Sequence, residues 1–182
     1  MVHSSNGIVG RPEAGEFADY ARADVDQVAG DDVIVALTLQ MEVTLARLRP
    51  VAEAAAATFS YAPGKWTLKQ VVGHLSDDER IFAYRALCVA RNESQPLPGF
   101  EEKDYVRFAH FEDRSFADLL DELRVVREAT IVLLRGLRRD AWLRRGTVNG
   151  YSASARGLAF HVAGHELHHM RIVEEKYLRA VT

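Results

Sequence analysis

Four stretches of this chain repeat apolar residues at the spacing of an amphipathic helix, and each follows a residue suited to cap one. The first comes after Asp31-Asp32 and runs through VIVALTLQMEVTLARL to a stop at Pro50. The second, LKQVVGHLSDDERIFAYRALCVAR, starts behind Thr67 and ends near Asn92; Gln70, three residues after Thr67, completes a capping box. Ser115 opens the third, FADLLDELRVVREATIVLLRGL, and Ser152 or Ser154 opens the fourth, ARGLAFHVAGHELHHMRIVEEKYLRA. No segment alternates with the period of a half-buried strand. The pattern predicts an all-α four-helix bundle, most simply up-down-up-down, with one long loop between helices 2 and 3.

The remaining segments read as connections. VAEAAAATF predicts a short turn of helix, and YAPGKW a loop broken by Pro63-Gly64. ESQPLPGFEEKDYVRFAHFEDR is the long connection, where Pro96, Pro98 and Gly99 oppose regular structure; a crossover of such length often lines a site. Trp142 and Asn149-Gly150 mark a turn region before the last helix. Residues 1–30 read as an amino-terminal arm with a short helix within Phe17 to Val28, and 31–182 as the bundle domain.

A chain of 182 residues buries a sufficient core without a disulfide or structural metal, and the lone Cys88 excludes an internal disulfide. Any bound metal is therefore expected to be functional, and the metal-free protein to stay folded. No run approaches the roughly eighteen apolar residues of a membrane span. No export signal is recognisable either, so the expected location is cytoplasmic. The 23 basic and 26 acidic residues, net charge -3, are dispersed, which argues against a nucleic-acid-binding face.

Five of the seven histidines fall on two of the predicted helices: His74 on the second, and His161, His165, His168 and His169 on the fourth. Ligands at i and i+4 stack on one helix face, so His161 with His165 and His165 with His169 both qualify as a chelating pair. On a helical wheel His165 and His169 bracket the direction of Leu158, Val162, Ile172 and Val173, which points them into the bundle. His161 lies toward the flank as the next candidate, and His168 lies further out. On the second helix Leu68, Val71, Leu75, Phe82 and Val89 form the buried stripe, with His74 and Asp78 at one edge. His74 is the natural third ligand, completing a three-histidine set that leaves the ion open to an exogenous ligand.

HELHH also spells H-E-x-x-H, with Glu166 as the general base of a zinc protease. The long form of that motif needs glycine at position 172 and histidine at position 175, where this chain has Ile172 and Glu175. Only 13 residues follow His169, and no sheet edge is predicted to hold a peptide. Otherwise Glu166 faces solvent. Asp78 reads as an orienting acceptor for an imidazole or as a solvated carboxylate, and Glu79 as half of a salt bridge with an arginine such as Arg80 or Arg85. Trp66, Tyr61 and Phe100 wall a pocket or fill the core. Cys88 stands in for a small hydrophobe, while His3 and His110 have no assigned role.

The runs YAPGKWTLKQVVGHLSDDERIFAYRAL, PLPGFEEKDYV, WLRRGTVNG and AGHELHHMRIVEEKYL, in that order, resemble the DinB-like (DinB and YfiT) metalloprotein family from about residue 31 to the end. In that family a four-helix bundle carries a histidine of its second helix and a His-x-x-x-His pair of its last as a metal triad. The matching positions are His74, His165 and His169, the three already chosen on geometry; His161 lies outside the motif. The resemblance implies zinc or nickel as the ion and a homodimer formed through the helices. For activity it implies transferases acting with low-molecular-weight thiols such as bacillithiol, a mycothiol-dependent maleylpyruvate isomerase, or metal-dependent hydrolases. The family name does not imply DNA binding.

Three functions are therefore expected as alternatives: a metal-dependent thiol S-transferase, a metal-dependent hydrolase that uses metal-bound water, and a non-catalytic metal-binding or sensor bundle. No side chain is assigned as catalytic. The open position is expected to face a pocket walled by the connection from Glu93 to Arg114 and by Trp66. A homodimer is expected on a further ground: Phe160, Leu167 and Leu178 give the last helix a second apolar face, which a twofold contact or the amino-terminal arm must cover.

Overall fold

The computed structural model describes residues 9–179; the first eight residues of the expected arm, His3 among them, lie outside the described residues. In chain order the elements are a 3-10 turn Asp19–Ala21, α1 Arg22–Gln27, α2 Val33–Leu48, α3 Glu53–Thr58, α4 Leu68–Ala90, α5 Glu102–Ala109, a 3-10 turn Phe111–Asp113, α6 Phe116–Arg135, α7 Arg139–Leu143, β1 Arg145–Val148, β2 Tyr151–Ser154 and α8 Ala155–Ile172, which continues into a π-helical segment Val173–Leu178.

The long helices start where their capping chemistry dictates. Asp32 accepts from the Ile34 and Val35 amides ahead of α2, and Thr67 and Gln70 form the reciprocal box ahead of α4. Ser115 accepts from the Asp118 amide, and Ser154, rather than Ser152, accepts from that of Gly157. Each cap satisfies amides that the first helical turn cannot pair internally.

α2, α4, α6 and α8 form the bundle. α4 packs on α8 and α6, and α2 packs on the same two, so α2 and α4 face each other across the diagonal. This departs from the simplest up-down-up-down order, in which consecutive helices are neighbours. The link between α2 and α4, which carries α3 along its way, is long enough to cross the bundle end.

Two connections hold structure that hydrophobic periodicity did not announce. Pro96, Pro98 and Gly99 keep helix out of only the first part of the long connection; past them α5 forms, with Glu102 and Asp104 in its first turn and Val106 buried. The turn region before α8 contains α7 and a hairpin, β1 antiparallel to β2, turned by Asn149 and Gly150 at φ 48° and 82°. Both φ values are positive, as a two-residue primed turn requires. The strands are four residues each, too short for alternation to register. Leu97 joins the hairpin through hydrogen bonds to Thr147 O and from the Asn149 amide.

The described part of the arm is integral to the core. Phe17, Ala21, Val25 and Val28 are buried, and α1 lies along α8. Two glycines allow this approach: a Cβ on Gly157 would stand 1.9 Å from Glu16 O, and one on Gly164 2.5 Å from Asp24 O. Glu16 is tied down by Arg156, through Nε and Nη2 at 2.7 and 2.6 Å, and by Ser154 Oγ at 2.6 Å. The segment supplies the second partner that the two-sided α8 needs. Phe160 is fully buried with Arg11 over its ring, and Leu167 packs on the same cluster.

Candidate metal centre

α4 and α8 are neighbours along their length, which brings His74 opposite His165 and His169. His165 Nε2 lies 3.2 Å from His74 Nε2 and 3.1 Å from His169 Nε2, and one nitrogen from each ring falls within 4.8 Å of the others. Imidazole nitrogens about 2.0–2.1 Å from a tetrahedral zinc are about 3.3 Å apart. The donor set could therefore hold a divalent ion with little movement. His74 is buried, while His165 and His169 keep some exposure.

The electrostatics suit a cation and disfavour protons. Burial pushes the His74 imidazole down to about 4. Burial, with His74 and His168 nearby, pushes His169 down to about 3. His165 is held well below the ordinary histidine range by burial and by the surrounding rings. All three are neutral at pH 7, so their lone pairs are free for a metal.

Around the triad, Asp78 Oδ2 is buried without an aligned hydrogen bond and sits 3.1 Å from His165 Nδ1. A carboxylate on the outer nitrogen of a ligating histidine fixes that ring's tautomer and orientation. Desolvation pushes the Asp78 carboxyl up to about 8, so it is a buried group and not a solvated one. The Trp66 ring centroid lies 4.9 Å from that of His74 and 6.4 Å from that of His169, and the Trp66 carbonyl accepts from Tyr177 Oη at 2.6 Å.

Glu166 is neither in solvent nor at the triad. It is buried, accepting from Arg127 Nη1 at 2.9 Å and from Thr44 Oγ1 at 2.6 Å. Arg127 also holds Glu79, so the partner of Glu79 comes from α6 and is neither Arg80 nor Arg85. A carboxylate so engaged is not available as a general base, and the protease reading of HELHH loses its catalytic residue. His161 is buried against Phe82, ring centroids 3.8 Å apart, and contributes no nitrogen to the triad. His168 pairs with Asp24 of α1 at 3.1 Å, and His110 lies beside Glu112. Cys88 is half-buried against the core.

Among the described residues, two cavities large enough for a small molecule reach the triad. One, about 340 Å³, runs from His165 past His161 to Phe82, Arg85 and Phe100; the other, about 250 Å³, lies beside His169 under Trp66 and Tyr61. Glu102 and Lys103 of α5 line both, so the long connection does wall the site. A larger hollow of about 720 Å³, lined by Arg47, Arg171 and Glu174, lies away from the triad. Glu102 is a residue that sequence reasoning missed: its Oε2 stands 4.0 Å from His74 Nε2. No spacing links a connection glutamate to a histidine on the preceding helix.

A sequence model of the DinB superfamily matches residues 36–173. The chain belongs to the DinB superfamily. The match contains all three histidines. Among solved structures the chain is similar to YfiT from Bacillus subtilis, described as a probable metal-dependent hydrolase with an unusual four-helix bundle topology. The TM-score is 0.69 at 17% identity, over 93% of this chain and 92% of that one, a likeness that shows the shared fold. No curated protein matches the sequence significantly. Among the described residues of this DinB-superfamily chain, no helix is long and apolar enough to cross a membrane.

Proposed function

We propose that this chain is a cytoplasmic, divalent-metal-dependent transferase that holds zinc or nickel through His74, His165 and His169 and delivers a low-molecular-weight thiol to an electrophile. The observation that carries the reading is the convergence of three neutral imidazole nitrogens beside a cavity, while the glutamate of H-E-x-x-H is locked to Arg127. A divalent ion bound there supplies Lewis acidity and lowers the pKa of a thiol or water at its open position. A thiol, with an ordinary pKa of about 8.5, needs little help from a protein base, which suits a site whose motif glutamate is sequestered. Asp78 stands 3.1 Å from His165 Nδ1, and the Trp66 ring lies against those of His74 and His169.

Metal-dependent hydrolysis is the second reading. It is favoured by the likeness to YfiT and by Glu102, a half-exposed carboxylate near the triad that could take a proton from water. Zinc- and nickel-loaded protein assayed with a panel of cellular thiols and electrophiles, and separately with esters and amides, separates the two. The expected result is thiol transfer that disappears in His74→Ala and persists in Glu102→Gln. Ester or amide hydrolysis lost in both variants, with no thiol transfer, replaces the first reading by the second. A metal-loaded protein inactive in every assay leaves a sensor or binding role.

We propose as well that the chain is a homodimer. Since residues of the arm pack over Phe160 and Leu167, the contact is placed on exposed apolar residues of two neighbouring helices, Val35, Leu39 and Val43 on α2 with Val125 and Val132 on α6. Light scattering at micromolar concentration is expected to give twice the chain mass, falling to one chain in Leu39→Lys.

A further inference from the structure

α4 carries another chemistry-bearing residue on the face of His74. Arg85 lies eleven residues on, three turns to within about 20°, and is only 3% exposed. Its surroundings differ from those of the other buried guanidinium, Arg127, whose charge is met by two carboxylates. Arg85 donates from Nη2 to Pro98 O at 2.7 Å and otherwise lies over the rings of Phe82 and Phe100, 4.7 and 5.5 Å from their centroids. Among the described residues no carboxylate comes within ion-pairing distance of it. Asp78, two turns nearer the triad, is turned to His165. Aromatic faces offset only part of the cost of desolvating a guanidinium, and a single carbonyl uses one of its five N–H donors.

What Arg85 faces is the larger of the two cavities at the triad. Tyr20, Phe82, Phe100, Asn149 and His161 line it with Arg85, and His165 with Asp78 closes its inner end. Glu101, Glu102 and Lys103 stand at its mouth, exposed, where water and salt screen them. Inside, Arg85 stands at one end and Asp78, whose carboxyl burial pushes up to about 8 against the opposing pull of Arg85, at the other. From Asp78, which touches His165, to Arg85 is seven residues, about 10 Å along the helix axis. The wall between is aromatic.

We propose that Arg85 is the carboxylate subsite of this centre: the molecule taken there is a small carboxylic acid with an apolar or aromatic stem, its reactive end at the histidine triad and its carboxylate on the guanidinium. The position of the reactive end rests on the metal reading above; that of the carboxylate does not. A planar fork matches a carboxylate in two parallel hydrogen bonds, a geometry lysine cannot offer. Pro98 O and the two rings set the plane of that fork before the ligand arrives.

Two measurements test the subsite and the metal reading separately. In metal-free protein, the Arg85 Nε–Hε signal in ¹H–¹⁵N spectra is titrated with hexanoate and with hexanol. Hexanoate is expected to shift it saturably and hexanol to leave it in place. In cobalt-loaded protein, thiolate-to-cobalt absorption follows the binding of 6-mercaptohexanoate and 6-mercaptohexanol. The acid is expected to bind about ten-fold tighter, as a charge-assisted hydrogen bond implies. Arg85→Gln is expected to bring the acid to the affinity of the alcohol without changing the alcohol's, and Arg85→Lys to keep part of the preference. Equal affinities for the two thiols, with no hexanoate shift in the metal-free protein, overturn the subsite, as does an equal loss for both thiols in Arg85→Gln. If cobalt does not bind the triad, the metal reading fails, and the hexanoate titration alone decides the role of Arg85. The wild-type titrations stand even where Arg85→Gln does not fold.

Discussion

Replacing Arg127 by Met removes the cation that holds Glu79 and Glu166 inside the bundle. All three side chains are almost wholly buried. Arg127 donates to Glu79 from Nε and Nη2 at 2.8 Å each, to Glu166 Oε2 at 2.9 Å and to Leu37 O at 3.0 Å. Methionine preserves most of the volume but leaves two carboxylates without that donor, Glu166 keeping only Thr44. Breaking a buried ion pair from one side costs ~3–5 kcal/mol, a large share of the ~5–15 kcal/mol that stabilises a folded domain. At roughly 2–4 °C per kcal/mol for a chain of this size, Tm should fall by about 10 °C. Urea denaturation of metal-free protein at pH 8, followed by circular dichroism, measures the loss. The combined Glu79→Leu, Arg127→Met, Glu166→Leu variant should recover most of the loss, since a well-packed apolar replacement often equals a buried ion network. A loss below about 1 kcal/mol at pH 8 would refute the reasoning, because Glu166 would then be free enough to act as a base.

Chelation of the metal is expected to leave the helical circular dichroism intact and to lower Tm only by the linkage of ion binding, because the core does not depend on the ion; collapse of the helical signal would make the metal structural. Asp78→Ala should weaken zinc binding about ten-fold or more in a chelator competition, through loss of the side chain that stands on His165 Nδ1. For Glu16, burial raises the carboxyl, but the hydrogen bonds and charge of Arg156 with the bond from Ser154 prevail and hold it at about 2 against an ordinary 4.5. Its contribution is fully present above pH 4.5 and is lost as pH falls from there toward 2, so Glu16→Gln should reduce stability at pH 7 and flatten the acid limb of the stability curve.

Of the fold, the elements determined by local chemistry were legible. Asp32, Thr67 with Gln70, and Ser115 announce the helices they cap because capping involves residues only two or three apart. The diagonal placement of α2 and α4 leaves no such mark, since helix order around a bundle is set by which apolar faces meet, and each of these faces fits two neighbours. The packing of the arm leaves no local mark for a related reason. Its apolar residues are few, and what admits them to the core is the absence of side chains at Gly157 and Gly164, more than a hundred residues away in sequence.

The candidate centre divides along the same line. His165 and His169 were readable because i and i+4 on one helix is a geometric statement, and His74 because an inward pair needs a partner on a facing helix. Glu166 misled because its place in H-E-x-x-H says nothing about what lies 100° around the helix. There Arg127 and Thr44, on two other helices, wait for a carboxylate. Arg85 reads in the sequence as half of a salt bridge for the opposite reason: most arginines find a carboxylate, and only the assembled cavity shows that this one has rings and a carbonyl instead. A buried charge matters here for what is missing around it, and sequence spacing carries no record of that. The two charges on α4 that part company in this way, Glu79 held by Arg127 and Arg85 without a carboxylate in ion-pairing distance, thus separate a residue that holds the bundle together from one that faces its cavity.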